Sequence, residues 1–482
     1  MKLSKMALMA AICGASGLCF GDGNLGLGTA AAQNPLLVHP ASSEFLQPVN
    51  LEADSIGSGL SLVNYCDCGE PECGCESMVP ACDCDGGCDG GCGAGYGFGD
   101  SGCDDECGGG LMSCGSIGQC DLGDPFQLLG GCCDYQAGGW VQMGYHNKNT
   151  ILFNSRKHEY NLHQAWIYAE KAIDTSDGFD LGGRIDYVYG IDAQDTQAFG
   201  IANGHWDNQW DHGAYGHALP QLYGEAGYGD FSIKFGHFYT LIGYEVVTAP
   251  DNFFYSHAYT MYNSEPFTHS GAIATYAMTD DISLFGGYVL GWDSGFEDNG
   301  DAFLGGGSVQ LTDDINVTST VVGGRFADNF GGDERGIMSS TVANIQLTED
   351  LSYIFQADIL DSEDHNGATV RETYGINQYL IKQVSDCLGF GARFEWWNVN
   401  ADSVGLYGDN ATAGANLPGD FDIYALTLGM NVKPHANLMF RPEIRWDWAQ
   451  GSEANYAAAD FQVLEDGAER QTTFGIDTII LF

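Results

Sequence analysis

The sequence predicts an all-β fold: a transmembrane antiparallel up-and-down barrel of about 16 strands, preceded by a disordered or disulfide-stapled segment rich in Cys, Gly and Asp. Three observations carry that prediction. The start is basic and then apolar, the C-terminal part alternates apolar and polar side chains in segments of about ten residues, and turn-rich connections alternate short and long.

Lys2 and Lys5 precede the apolar run 6–20, which together supply the charged and hydrophobic parts of a secretory signal peptide. Ala30 and Ala32 offer an A-x-A cleavage pattern, so residues 1–32 are assigned to the signal. No later stretch reaches the roughly 18 to 20 uninterrupted apolar residues of a spanning helix. Passage through a membrane therefore requires a closed barrel, whose backbone hydrogen bonds are all internal.

The chain carries 17 Lys+Arg against 65 Asp+Glu, a formal charge of -48. Phosphate binding needs a basic footprint that is missing here, so nucleic acid is excluded as a partner. The 24 Tyr and 26 Phe argue against a wholly disordered acidic chain.

Residues 33–135 read as a periplasmic or wall-facing segment, with 14 of the 17 cysteines falling between Cys66 and Cys133. Too few apolar residues stand there to build a core, and oxidation outside the cytoplasm can staple such a segment or link it to other envelope proteins. Metal binding is the alternative, through Cys66-Asp-Cys68, Cys73-Gly-Cys75 and Cys82-Asp-Cys84. Missing histidines and oxidising surroundings favour disulfides, and no metal or cofactor is expected. Gly99-Asp100-Ser101-Gly102 matches the surroundings of a serine-protease nucleophile but is embedded in Gly/Asp/Cys repeats, and is read as part of them.

From 136 to 482 the strand pattern takes over. The clearest segment sets Leu438, Phe440, Pro442, Ile444, Trp446 and Trp448 on one face against Met439, Arg441, Glu443, Arg445 and Asp447 on the other. A slip of one residue would put both arginines into lipid at roughly 2 to 4 kcal/mol each, so the register is strongly specified and the charges face inward. The same reasoning turns Asp180, Arg184 and Asp186 inward, as well as Arg393 and Glu395, and adds Lys234 and Arg325 to the lumen. Segments 163–171 and 373–382 leave the facing open.

Short turns such as Gly229-Asp230, Thr348-Glu349-Asp350 and Pro434-His435 alternate with long Gly/Asp/Asn-rich connections. The expected strands are 137–146, 160–173, 179–190, 219–229, 231–239, 268–279, 282–292, 302–312, 315–326, 336–348, 351–361, 372–384, 387–398, 422–433, 436–449 and 471–482. An even count near 16 leaves an aqueous channel, unlike 8, whose interior side chains can fill. The last strand ends in an aromatic signature, Phe482, of the kind the barrel-assembly machinery handles.

The connection 240–267 is long and aromatic, with Glu245, Asp251, Phe253, Phe254, Tyr255 and Glu265. Surface loops are usually small and polar. These rings need burial, which folding into the lumen would give them, narrowing the channel and setting Glu245, Asp251 and Glu265 opposite wall arginines. A surface loop is the other reading.

The segments 160–171 (YNLHQAWIYAEK), 181–192 (LGGRIDYVYGID), 219–228 (LPQLYGEAGY) and 233–271, with its run through Pro250 and Phe267, together resemble the OmpL-like β-barrel porin family. The resemblance spans 136–482 and implies a barrel in the cell outer membrane with channel activity; it supplies no substrate and no catalytic residues. The Cys-rich segment lies outside it.

The expected function is passive diffusion of small hydrophilic solutes or ions, with no enzymatic activity. The charges Arg184, Asp186, Lys234, Arg325, Arg393, Glu395, Arg441, Glu443, Arg445 and Asp447 would line the lumen and set a transverse field. Outer-membrane lipid is the other expected partner, and a homo-oligomer is compatible with the sequence. Two rival readings stand: an envelope anchor cross-linked through the Cys-rich segment, and a hydrolase at the outer rim using His205, Asp207, Asp211, His212 and His217. The bland reading of that cluster is a polar outer loop able to hold divalent cations.

Overall fold

The computed structural model describes residues 135–482 except 151–152, 201–203, 298–299, 328–333, 401–420, 452–463 and 466–467, together with 122, 123, 126 and 128. The expected signal peptide and every cysteine of the expected Cys-rich segment lie outside the described residues.

Sixteen strands build one wall. They are β1 (Tyr135–His146), β2 (Tyr160–Lys171), β3 (Phe179–Gly190), β4 (Tyr215–Tyr228), β5 (Phe231–Tyr239), β6 (Thr268–Thr279), β7 (Ile282–Val289) and β8 (Asp301–Thr312). The second half is β9 (Ile315–Ala327), β10 (Glu334–Thr348), β11 (Leu351–Glu363), β12 (Thr369–Ser385), β13 (Leu388–Val399), β14 (Phe421–His435), β15 (Leu438–Gly451) and β16 (Arg470–Leu481). Each pairs antiparallel with its sequence neighbours, and β1 pairs with both β2 and β16, so the sheet closes on itself. Closure satisfies the backbone of a sheet immersed in lipid.

All the expected strands are present, with ends displaced by a few residues. The largest displacement is physical: β4 begins at Tyr215 rather than at 219, because Gly216, His217 and Ala218 continue the pairing with Gly190, Tyr189 and Val188 of β3, and Asp211–His212 doubles back onto Tyr215 and Gly216. At the other end of β4, Gly229 adopts φ 54°, the left-handed conformation that a two-residue hairpin demands.

Alternation sorts the two faces. In β15 the positions Met439, Arg441, Glu443, Arg445 and Asp447 are buried, while Phe440, Pro442, Ile444 and Trp446 between them look outward. In β2, left open by the sequence, Gln164 and Trp166 turn inward and Ile167 outward. Exposed Leu181, Ile185, Ile233 and Leu284 belong to the outward belt, and Tyr135, Phe179, Tyr228, Phe231 and Tyr276 girdle it at the strand ends beside the short turns. Rings suit that level, where one side is apolar and the other wet.

Replacing outward Ile444 with Arg should lower folding stability in lipid vesicles by about 2 to 4 kcal/mol, read from guanidinium unfolding. The measurement contradicts the assigned facing if Ile444→Arg is as stable as the parent while Arg445→Ile changes nothing.

Candidate functional site

Register brings the inward charges of β13 to β16 together. Arg393, Thr427 and Arg445 stand in one row across three strands, Glu395, Ala425 and Asp447 in the next, and Arg441 opposite Asp477. All six of these charged side chains are buried, and what covers them is the connection 240–267, which lies inside the barrel.

Inward glycines make room for that connection. Gly391 and Gly429 face each other on β13 and β14, and Gly475 on β16 lies in the same row beyond Glu443. Phe253, Phe254 and Tyr255 step across these strands in turn. A Cβ would stand 3.3 Å from Phe253 at Gly389, 3.0 Å from Phe254 at Gly429 and 2.9 Å from Tyr255 at Gly475, and at Gly391 it would overlap Phe253 outright. Each ring removed from water in this notch contributes about 1.5 to 3 kcal/mol.

Irregular backbone inside a barrel also needs hydrogen-bond partners. Glu443 Oε2 accepts from the amides of Tyr255 at 3.0 Å and Ser256 at 3.1 Å, and Glu395 accepts from Tyr259 and Thr260, both at 2.8 Å. Carbonyls are met by arginines. Arg393 Nη1 donates to Ser256 O at 2.6 Å, Arg441 Nη1 to Ala249 O at 2.7 Å and Asn252 O at 2.6 Å, and Arg445 Nη1 to His257 O at 2.5 Å. The same guanidiniums keep carboxylate partners: Arg393 with Glu245 at 2.6 Å, Arg441 with Asp477 at 2.6 and 3.0 Å, and Arg445 with Asp447 at 2.6 Å.

Of the three loop carboxylates expected opposite wall arginines, Glu245 alone takes that position. Burial would raise its pKa, but Arg393 and His257 outweigh it and hold it down to about 2. Asp251 makes no ion pair among the described residues, and burial pushes it up to about 7. Glu265 sits beside another acid, Asp358, with Gln356 Nε2 donating to both at 2.6 Å. Burial and that neighbour push Glu265 well above the usual carboxylate range. Where the connection rejoins β6, Asp293 Oδ1 accepts from Phe267 N at 2.7 Å and Thr268 N at 3.0 Å, and burial raises its pKa to about 7.

Arg184, Asp186 and Lys234 stand on the inward face: Arg184 pairs with Asp186 at 2.6 Å and Glu170 at 2.9 Å, and Lys234 lies 4.2 Å from the centroid of Tyr223. Arg325 does not. Thr320 Oγ1 donates to Leu241 O within the lumen, which fixes the even positions of β9 inward, and Arg325 shares the outward face with Val321 and Gly323. It pairs there with Asp301 at 3.0 Å, at the outer end of its strand, where a recess of about 710 Å³ also holds Arg335, Asp361 and Glu363.

Inward residues that the sequence reading missed include Arg371, paired with Glu334 at 2.8 Å and stacked 4.2 Å from the ring of Trp292. His163 bridges Asp192 at 2.8 Å and Tyr255 Oη at 2.7 Å. Polar residues on both faces of β12, such as Glu372 and Gln378 beside Arg371 and Asn377, hide the alternation there.

The rim residues divide between separate contacts: Asp211, His212 and His217 lie together, while His205 and Asp207 are engaged elsewhere. His205 pairs with Glu297 at 3.1 Å, whereas Asp207 is buried and accepts from Ala198 N at 2.9 Å and Leu219 N at 2.8 Å, with burial raising its pKa to about 6. Asp211 accepts from Gln197 at 2.9 Å, and His212 and His217 lie edge to face at 5.2 Å. Asp207 is a staple for backbone amides.

A closed cylinder, apolar outside and charged within, with a long connection bound in its lumen, is the architecture of an outer-membrane porin. The sequence pattern of the family described as "Putative beta-barrel porin-2, OmpL-like" matches residues 134–482, and the chain belongs to that family. No curated protein sequence matches the chain. Among solved structures it is similar to a loop L8 deletion mutant of OmpT, an outer membrane protein of Vibrio cholerae (13% identity, TM-score 0.48, covering 72% of this chain and 99% of that one). It is similar also to an anion-selective porin from Comamonas acidovorans (10%, 0.48, 72% and 99%) and to the outer membrane channel DcaP of Acinetobacter baumannii (9%, 0.45, 72% and 97%).

Filling the notch should release the connection. Gly391→Val is expected to cost about 1 to 3 kcal/mol through overpacking and to expose 240–267 to protease added to the folded barrel; an unchanged cleavage pattern would mean that the rings are not held there. For Asp293, whose pKa rises from 3.8 to about 7, the folded state favours the neutral acid. Its contribution to stability is then complete below about pH 4 and lost as pH climbs through about 7. Asp293→Asn keeps the Oδ1 acceptor, so its thermal midpoint relative to the parent should improve between pH 5 and pH 8, and a flat difference would contradict the assignment.

Proposed function

We propose that this porin lets small hydrophilic solutes or ions diffuse passively down their gradients, with the connection 240–267 forming the narrow section of the path. The observation that carries the reading is the pairing of a closed wall of 16 strands with a lumen lined by polar side chains. A barrel of that size has room for water beyond what its own side chains fill. Below the connection, toward the short turns, the inward positions carry hydroxyls, amides and half-buried charges, among them Thr318, Asn316, Asn344 and Glu225.

Arg393, Arg441 and Arg445 act differently from the field expected of them. Each donates to the loop backbone and to a carboxylate, so their part in permeation is to fix the shape of the narrow section. The rim histidines have no part in this reading, since they stand at the rim and, among the described residues, make no contact with the connection 240–267 that forms the narrow section.

Single-channel recording of the refolded full chain in a planar bilayer tests the proposal. Discrete current steps are expected, larger in Gly391→Val than in the parent because the connection is loosened. The triple replacement of His205, His212 and His217 by Ala should leave the step size unchanged. A chain that inserts and seals the bilayer without current would end the passive-diffusion reading.

A further inference from the structure

Any solute that crosses a closed cylinder traverses its periplasmic half, wherever it slips past the loop. Charges on the inward face of that half are few. Asp180 bonds Lys171 at 2.7 Å, and Arg184 is clamped between Glu170 at 2.9 Å and Asp186 at 2.6 Å. Lys433 lies at the mouth near Asp386. Strands on the far side present neutral groups such as Gln310, Asn316, Thr318 and Asn344.

Glu225 and Lys234 are different. They face each other directly in the register of β4 and β5 and both are half-buried, yet among the described residues no ion pair within 4.0 Å joins either to a partner. The ammonium of Lys234 leans instead over the ring of Tyr223, at 4.2 Å from its centroid, and Glu225 Oε1 accepts from Ser232 Oγ at 3.2 Å. Opposite charges are thus held side by side on the wall without neutralising one another at contact distance. The larger ladder of Arg393, Arg441 and Arg445 is fully covered by the loop and presents no charge to water.

We propose that Glu225 and Lys234 set the charge selectivity of the path, and that the wall arginines do not. The assignment rests on the passive-diffusion reading. A charge several ångströms from a water-filled path changes the local concentration of a monovalent ion by roughly two- to threefold. Because the two residues oppose each other, the parent should discriminate weakly despite the formal charge of -48.

The test is the reversal potential of the refolded full chain in a potassium chloride gradient. Lys234→Gln should shift the permeability ratio toward cations and Glu225→Gln toward anions, each by roughly two- to threefold. Lys234→Arg should keep the parent value, and the exchange of both residues, Glu225→Lys with Lys234→Glu, should return close to it. Each variant certifies its own folding by carrying current. Shifts that are absent, or that run in the same direction for both single variants, overturn the assignment while leaving the porin conducting. A parent without current overturns the diffusion reading and this assignment with it.

Discussion

Backbone amides and carbonyls that leave water must find partners, and in this protein the constraint acts twice. It acts first on the wall, where sixteen strands in lipid can satisfy one another only if β1 and β16 meet. It acts again inside, where 240–267 carries non-sheet backbone through a crowded lumen. There the partners are side chains: Glu443, Glu395, Glu245 and Asp293 take amides, and Arg393, Arg441 and Arg445 take carbonyls. The inward charges of β13 to β16 therefore do for the loop what neighbouring strands do for the wall.

Shape and charge divide the work of holding that loop. The glycine row on β13, β14 and β16 admits three consecutive rings, a non-directional attraction that fixes depth. Ion pairs fix position. A buried pair is weak evidence for net stability, because desolvation offsets most of its attraction, but removing one partner is costly at about 3 to 5 kcal/mol. Glu265 and Asp358 mark the exception, since two acids are bridged by Gln356 with no cationic side chain among the described residues between them, and burial pushes Glu265 well above the usual carboxylate range.

Period-2 alternation and turn chemistry made the barrel readable from residues alone. A strand such as β15, with arginine and carboxylate alternating against Phe440, Ile444 and Trp446, has one workable facing, and repeated short turns count its neighbours. The loop was readable as a question, because its rings demanded burial. Its docking was not readable, since Gly391, Gly429 and Gly475 lie far apart in sequence and become one notch only through register. Arg325 shows the limit in the other direction. Near the outer end of β9 lipid no longer forbids an outward charge, so a lone arginine there does not reveal its side. Arg371 was lost for a related reason, with Glu372 and Gln378 blurring the two faces of β12.

The seam of the cylinder joins residues far apart along the chain, as when Gln142 donates to Asp477 across 335 positions at 2.7 Å. Every other wall pairing links strands adjacent in sequence and can zip up hairpin by hairpin, but the seam needs both ends of the sheet in hand and carries the largest entropic penalty of any contact in the wall. Closing the seam is therefore the one step of assembly that hairpin formation cannot supply. Until that event an open sheet has two bare margins, and the interval before them meeting is when the protein is most at risk of pairing with the wrong chain.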